Sequence, residues 1–459
     1  MEYHIEQDVF DRTFISGDEK KFSHKTNRRF NMFPFTGSSS DEVLNSFDNI
    51  LGAFLRTLYS FEEPEEINCK TILSSICNDV AFSGVSPVCL QSIIKDLYFI
   101  NDNTIRCTNI NTYKHMPGTK NNQKISEYLV SAICDADVIK QALEDGGTSN
   151  NILDSLFEEH LPELKPMKNN VNYLSLIPQI KEYFTKDLVF LIKNKNTDFF
   201  DIVQLMSYYY FFYTSQVILN LNRFGSKPTE IIPVFFCTEW ERTSKSRECF
   251  QRGWKQIESK LKTMFSHAVL LEMLNQTSEN CKEKYDYYSL IQEYNSASGF
   301  EKVRVFSEIE ELKNKYTTVY VKPESFEYKL DNYKKGNLES LIKGFFDDIM
   351  LQFESSNRNR ANDAYKKGFY DFSRNNYIQN RRVCGLMLAL NEDLLILMTK
   401  VSIGHEKQVQ LNKLFEEFNK RGIYMDKQTQ ESIVEFYEKL NLIEKKSDSG
   451  DAQYVKGIL

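Results

Sequence analysis

The sequence lacks the strings that most quickly identify an enzyme. No G-x-x-x-x-G-K-[ST] motif is present. The nearest fragment, Gly118-Thr119-Lys120, has Tyr113 where the first glycine belongs and Asn121 after the lysine, so no loop of backbone amides is expected to cradle a nucleotide phosphate. There is no H-E-x-x-H, and the six histidines (His4, His24, His115, His160, His267, His405) are far apart, none at ligand spacing from a cysteine. The nine cysteines are odd in number and include no C-x-x-C pair. They are expected to be the reduced, packing cysteines of a cytosolic protein. No cofactor or metal is expected. The strings Glu327-Tyr328-Lys329 and Glu163-Leu164-Lys165 match the E-x-K part of one nuclease pattern, a match that chance supplies often.

Membrane signals are also missing. The opening Met1-Glu2-Tyr3-His4 has neither a basic nor an apolar leader region. The most apolar stretch, Val203 to Leu221, contains Gln204, Ser207, four tyrosines, Ser215 and Gln216, too polar for a hydrocarbon span and suited to a buried helix. Nor is there a bulk excess of positive charge. The formal net charge is −7, so any case for nucleic acid has to be local.

What is present is the composition of a folded chain, 41% hydrophobic and 26% charged over 459 residues. That length implies two to four domains, and no internal repeat is visible. The pattern predicts a mainly α fold with small β elements (α+β). We divide it into a helical N-terminal region (1–170), a middle α+β region around an aromatic helix (171–354), a basic, aromatic connecting segment (355–390) and a C-terminal winged-helix domain (391–459). In the first region, Asp41 is placed as the cap of a helix carrying Leu44, Phe47, Ile50, Leu51, Phe54, Leu55 and Leu58, and the segments Cys69 to Ile100 and Ile125 to Leu143 look helical. In the middle, Ile231 to Cys237 is a candidate buried strand that Pro233 would demote to an edge or a bulge, and Thr317 to Val321 is a second strand candidate. Leu338 to Phe353 has helical spacing.

The C-terminal stretch is the most regular. Leu394, Leu395, Leu397, Met398 and Val401 share one helical face, as do Leu411, Leu414, Phe415 and Phe418, and then Ile433, Val434, Phe436, Tyr437 and Leu440. Asn391 and Asp426 are placed as N-caps and Gly422 as a helix stop. Leu442 to Lys446, the turn Asp448 to Asp451, and Ala452 to Val455 follow as a hairpin. Three helices closed by a hairpin suggest a winged helix. Its third helix, however, offers Lys427, Glu431 and Glu435 to solvent, and residues 391–459 hold ten Lys/Arg against twelve Asp/Glu, which favours a docking surface over a groove reader.

Charge is segregated along the chain. Residues 20–30 contain Lys20, Lys21, Lys25, Arg28 and Arg29 without an acid. Residues 242–262 contain Arg242, Lys245, Arg247, Arg252, Lys255, Lys260 and Lys262 against two acids, and residues 355–384 contain Arg358, Arg360, Lys366, Lys367, Arg374, Arg381 and Arg382 against two. Each window is +5, so together they hold +15 in a chain of −7 and the remainder carries −22. In the last window, cations alternate with Tyr365, Phe369, Tyr370, Phe372 and Tyr377. That alternation fits phosphate neutralisation with base stacking, and equally fits a solvated helical face whose aromatics enter a core. The segment between Trp240 and Trp254 fits a protein interface or fold support better than a DNA contact.

Taken with the length and the missing nucleotide motifs, the ending Leu442 to Leu459 with Lys446-Ser447-Asp448-Ser449-Gly450-Asp451-Ala452-Gln453-Tyr454-Val455 resembles DptG, a subunit of the bacterial restriction apparatus linked to DNA phosphorothioation. The Trp240 to Trp254 segment and Arg28-Arg29-Phe30 with Pro34-Phe35 are similar too. The resemblance implies a non-catalytic subunit beside DptF-like and DptH-like partners that supply motor or nuclease functions against DNA lacking the sulfur mark; it brings no catalytic residues. Two other classes stay open: a winged-helix transcriptional regulator and a cryptic metal-dependent nuclease.

Overall fold

The aromatic stretch in the middle of the chain forms the axis of the fold. The helix Phe199–Leu221 is capped by the Asp198 side chain, which accepts from the Phe200 N–H, and almost every residue from Ile202 to Leu221 is buried. A helix apolar on all sides must be surrounded, and this one, about 35 Å long, is. Several of its polar side chains reach partners inside the protein, although the buried Ser215 hydroxyl has none among the described residues. Tyr208 Oη donates to the Arg421 carbonyl (2.6 Å) and Tyr209 Oη to Asp187 Oδ2 (2.6 Å). Gln216 both donates to the Ile232 carbonyl (2.9 Å) and accepts from the Ile232 N–H (2.7 Å); Asn220 does the same with Glu230 (2.9 and 3.1 Å). Gln216 and Asn220 thus stitch the segment leading into the main sheet onto the helix. Among the described residues no helix is long and apolar enough to cross a membrane.

This computed structural model describes residues 3–16, 21–37, Phe47, 49–81, Ser83, 86–146, 151–168, 170–194, 198–278, 283–321, 332–356, 358–445 and 453–458. It is 60% helix and 8% strand, the mainly α arrangement with small sheets expected from the sequence. The strands are β1 (Ile15–Ser16), β2 (Lys21–Phe22), β3 (Phe99–Asn101), β4 (Thr104–Ile105), β5 (Phe235–Thr238), β6 (Ile378–Asn380), β7 (Leu386–Leu390), β8 (Gln408–Gln410), β9 (Tyr424–Met425), β10 (Ile443–Lys445) and β11 (Gln453–Lys456). The largest sheet has the order β6-β7-β5-β9. β5 runs parallel to both β7 (Cys237 opposite Ala389) and β9 (Phe235 opposite Tyr424), and β6 pairs antiparallel with β7.

Two strand expectations are corrected. Pro233 lies outside β5, which starts at Phe235 and is interior, so the proline costs no ladder bond. Thr317 to Val321 is not a strand: Tyr316–Tyr320 is a π-helical turn that continues the helix Gly299–Lys315. The Thr317 and Thr318 hydroxyls bond back to the Lys313 and Asn314 carbonyls, a local partner that competes with a sheet. The first long helix begins at Ile50, and the expected cap Asp41 falls outside the described residues.

At the C-terminus, the helices Glu392–Ile403, Leu411–Lys420 and Lys427–Lys439 stand where their periodicity places them. Asn391 accepts from the Leu394 N–H, Asp426 accepts from the Thr429 N–H, and Gly422 stops the second helix with φ +79°. β8 joins the terminal hairpin in an antiparallel sheet of order β10-β11-β8. The hairpin turn lies outside the described residues. One hydrophobic cluster contains side chains from Tyr3 to Val455, drawn from all four sequence segments. A smaller one, from Ile67 to Leu161, holds the helices Cys69–Asp79 and Pro87–Tyr98 with β3 and β4.

Candidate anion-binding cleft

The segment after β2 is fixed from below by an acid. Glu272, fully buried, accepts the backbone N–H groups of Arg28 (3.1 Å), Arg29 (2.7 Å) and Phe30 (3.1 Å), while Asn27 turns the chain at φ +57°. With the backbone dipoles committed inward, Lys25 remains half-buried and Arg28 exposed. Arg29 instead donates to the Thr277 carbonyl (2.7 Å) and belongs to the fold.

Opposite this segment begins the helix Asn359–Asn376, with Arg358 at its N-cap position. The Arg358 guanidinium donates to the Phe22 carbonyl (3.0 Å) and to His24 Nδ1 (2.7 Å). Since guanidinium only donates, Nδ1 is the accepting nitrogen and Nε2 carries the proton toward Tyr316 Oη (2.7 Å). Burial, and then the charge of Arg358, hold His24 well below the usual histidine range, so it stays neutral. The result is a cleft of about 360 Å³. His24, Lys25, Arg28 and Arg358 line it with the hydroxyls of Ser23, Thr26 and Thr36, and among the described residues no carboxylate lines it. Its apolar wall is the stacked ring pair Phe265 and Phe353, 5.0 Å between centroids.

Two basic windows, 20–30 and 355–384, therefore meet in space. From the cleft, Arg360, Lys367 and Arg374 continue along the helix at seven-residue spacing, all exposed, with the half-buried Asp371 among them; Lys366 is paired to Asp363 at 2.6 Å. The aromatic residues of this window do not join them. Tyr365, Phe369, Phe372 and Tyr377 are buried, so base stacking by these four is ruled out, and the half-buried Tyr370 packs on Trp254.

Other expected contacts are placed elsewhere. Arg247 is buried and clamps Asp426 through both guanidinium Nε (3.0 Å) and Nη2 (2.5 Å), with Glu241 and Thr429 beside it; it ties the third C-terminal helix to the end of β5 and cannot meet DNA. Burial raises the Glu241 carboxyl although Arg247 opposes this. Arg381 donates to the Thr238 carbonyl (2.5 Å), so it too supports β5, whereas Arg382, Arg242 and Lys245 are exposed. Trp254, 1% exposed, is core and not an interface anchor. Trp240 is 38% exposed and packs on Phe436 (5.0 Å), on the helix whose Lys427, Glu431 and Glu435 face solvent. Of the two E-x-K strings, Lys165 pairs with Glu65, and Glu327-Tyr328-Lys329 lies outside the described residues.

No protein-family model matches the chain, and sequence comparison finds no curated relative.

The meeting of Arg358 with His24 had no sequence signal beyond the shared sign of the two windows. Their separation of more than three hundred positions hides it.

Proposed function

We propose that this chain is a non-catalytic subunit of a phosphorothioation-dependent DNA restriction complex, a cytoplasmic anti-phage defence in which it bridges DptF-like and DptH-like partners and contacts DNA. The sequence resemblance carries the assignment to the complex. The DNA contact rests on one observation, the convergence of two basic windows on a cleft and an adjoining stripe, Arg360, Lys367 and Arg374, that spans about 21 Å of helix. The order helix, strand, helix, strand, helix, hairpin at the C-terminus, with β8 paired to β11, supports the winged-helix reading, although the strand before its third helix, β9, pairs with β5 of the other sheet. The start of its third helix is clamped by Arg247 on Asp426 and tied to β5 by the Thr429 hydroxyl, which donates to the Phe236 carbonyl, and this favours docking over groove insertion. The docking face combines Trp240, Phe436 and the exposed Leu440 with Glu431 and Glu435.

Binding to a DNA duplex measured across salt concentrations tests the reading. Affinity falls steeply with salt, and replacing Arg360, Lys367 and Arg374 by alanine lowers the log–log slope by up to about 3. No binding at low salt by the chain or its complex removes the DNA half. Glu431→Lys with Glu435→Lys weakens co-purification with the partners; unchanged co-purification moves the docking face elsewhere.

A further inference from the structure

We propose that the cleft between residues 23–28 and the N-terminus of the helix Asn359–Asn376 binds a phosphate monoester, the group carried by a strand end or a free nucleotide. The proposal deepens the DNA-contact reading and rests on it for the strand-end source. Its first support is shape. The backbone of an intact duplex is convex and passes over a stripe of cations, whereas a concavity of about 360 Å³ admits a terminal group and the sugar behind it.

The second support is charge. Lys25, Arg28 and Arg358 converge on one volume with no carboxylate among its described lining residues, more cation than a single internal diester requires. A monoester carries about −1.5 to −2 at pH 7 and three acceptor oxygens, which suits three cations and the hydroxyls of Ser23, Thr26 and Thr36. Arg358 is held before any ligand arrives, by the Phe22 carbonyl and by His24 Nδ1, so its remaining donors are committed in direction. The positive end of an eighteen-residue helix, represented in the lining by Ala361, adds to the field. The Phe265 and Phe353 wall gives a sugar an apolar surface. His24 is a positioning residue: it aims the arginine without touching the ligand.

The test uses the full chain and two single-stranded oligonucleotides identical except for a 5′-phosphate or a 5′-hydroxyl, with dAMP as a competitor. The phosphorylated strand is expected to bind at least tenfold tighter. Arg358→Ala is expected to bring the ratio to within twofold, and so is Lys25→Ala with Arg28→Ala, a rim pair that stays informative should the arginine variant fold poorly. His24→Ala lowers the ratio with dAMP affinity falling in step. Competition by dAMP at an affinity similar to the strand identifies a free nucleotide as the source; binding of the phosphorylated strand alone identifies a strand end. Equal binding of the two strands together with no binding of dAMP overturns the proposal, and if duplex binding persists in that case the DNA-contact reading survives it.

Discussion

Replacing Arg421 by methionine is the sharpest test of how the C-terminal helices are joined to the rest of the molecule. Arg421 is completely buried. Its Nε and Nη2 donate to the two oxygens of Asp187 (2.7 Å each), and Nη1 donates to Glu417 (2.7 Å). Asp187 is equally buried and has, besides the arginine, the Tyr209 hydroxyl. Methionine keeps much of the volume but leaves Asp187 as a carboxylate in the core with one hydrogen bond. Breaking such a pair from one side costs about 3–5 kcal/mol, because the partner is left as an uncompensated charge in the core. Adding Asp187→Leu removes the stranded charge, so the double variant should regain most of the loss. Urea unfolding followed by the fluorescence of the buried Trp254 measures all three proteins. A single variant within about 1 kcal/mol of the parent, or a double variant no more stable than the single, refutes the reasoning.

Acid sensitivity should trace to buried histidines. Burial pushes His267 down to about 3, below its unfolded value, so the unfolded chain binds the proton first and stability present above pH 6.5 is lost as pH falls toward 3. Over pH 6 to 4 this one ring accounts for about 2–3 kcal/mol. His267→Phe, which retains the stacking on Phe346 (4.3 Å), should flatten the urea midpoint over that range by this amount; an unchanged pH profile would place the acid sensitivity in other groups. At Gly422, φ is +79° and a Cβ would overlap the Phe212 ring of the central helix. Gly422→Ala should therefore cost more than the ~1 kcal/mol of an ordinary strained turn, detectable as lost soluble expression or a lowered melting temperature, and a neutral substitution would contradict the packing described.

Helices with local causes were legible in the sequence. The Asn391 and Asp426 caps, the Gly422 stop and the buried aromatic helix Phe199–Leu221 follow from spacing and from side chains that reach only two or three residues. What escaped depends on distant partners. β5 is interior because β7 and β9 flank it from far downstream, and no local pattern could distinguish that from an edge. The same holds for the cations. Arg247 and Arg381 look like any surface arginine in sequence, yet Asp426 and the Thr238 carbonyl take them inward, while Arg358 becomes part of the cleft through His24. The aromatics of 355–384 went to the core for a periodic reason that was visible, since Tyr365, Phe369, Phe372 and Tyr377 follow the spacing of one helical face and its continuation.

The parallel pairing of β5 with β7 and β9 carries a consequence for synthesis. A ribosome that has just made Thr238 must add about 150 residues before β7 exists and about 190 before β9 does. At ~5–20 residues per second that interval is roughly 10–40 s, during which an apolar strand has both edges open. Newly made chains should accordingly depend on a holding chaperone until translation passes Met425.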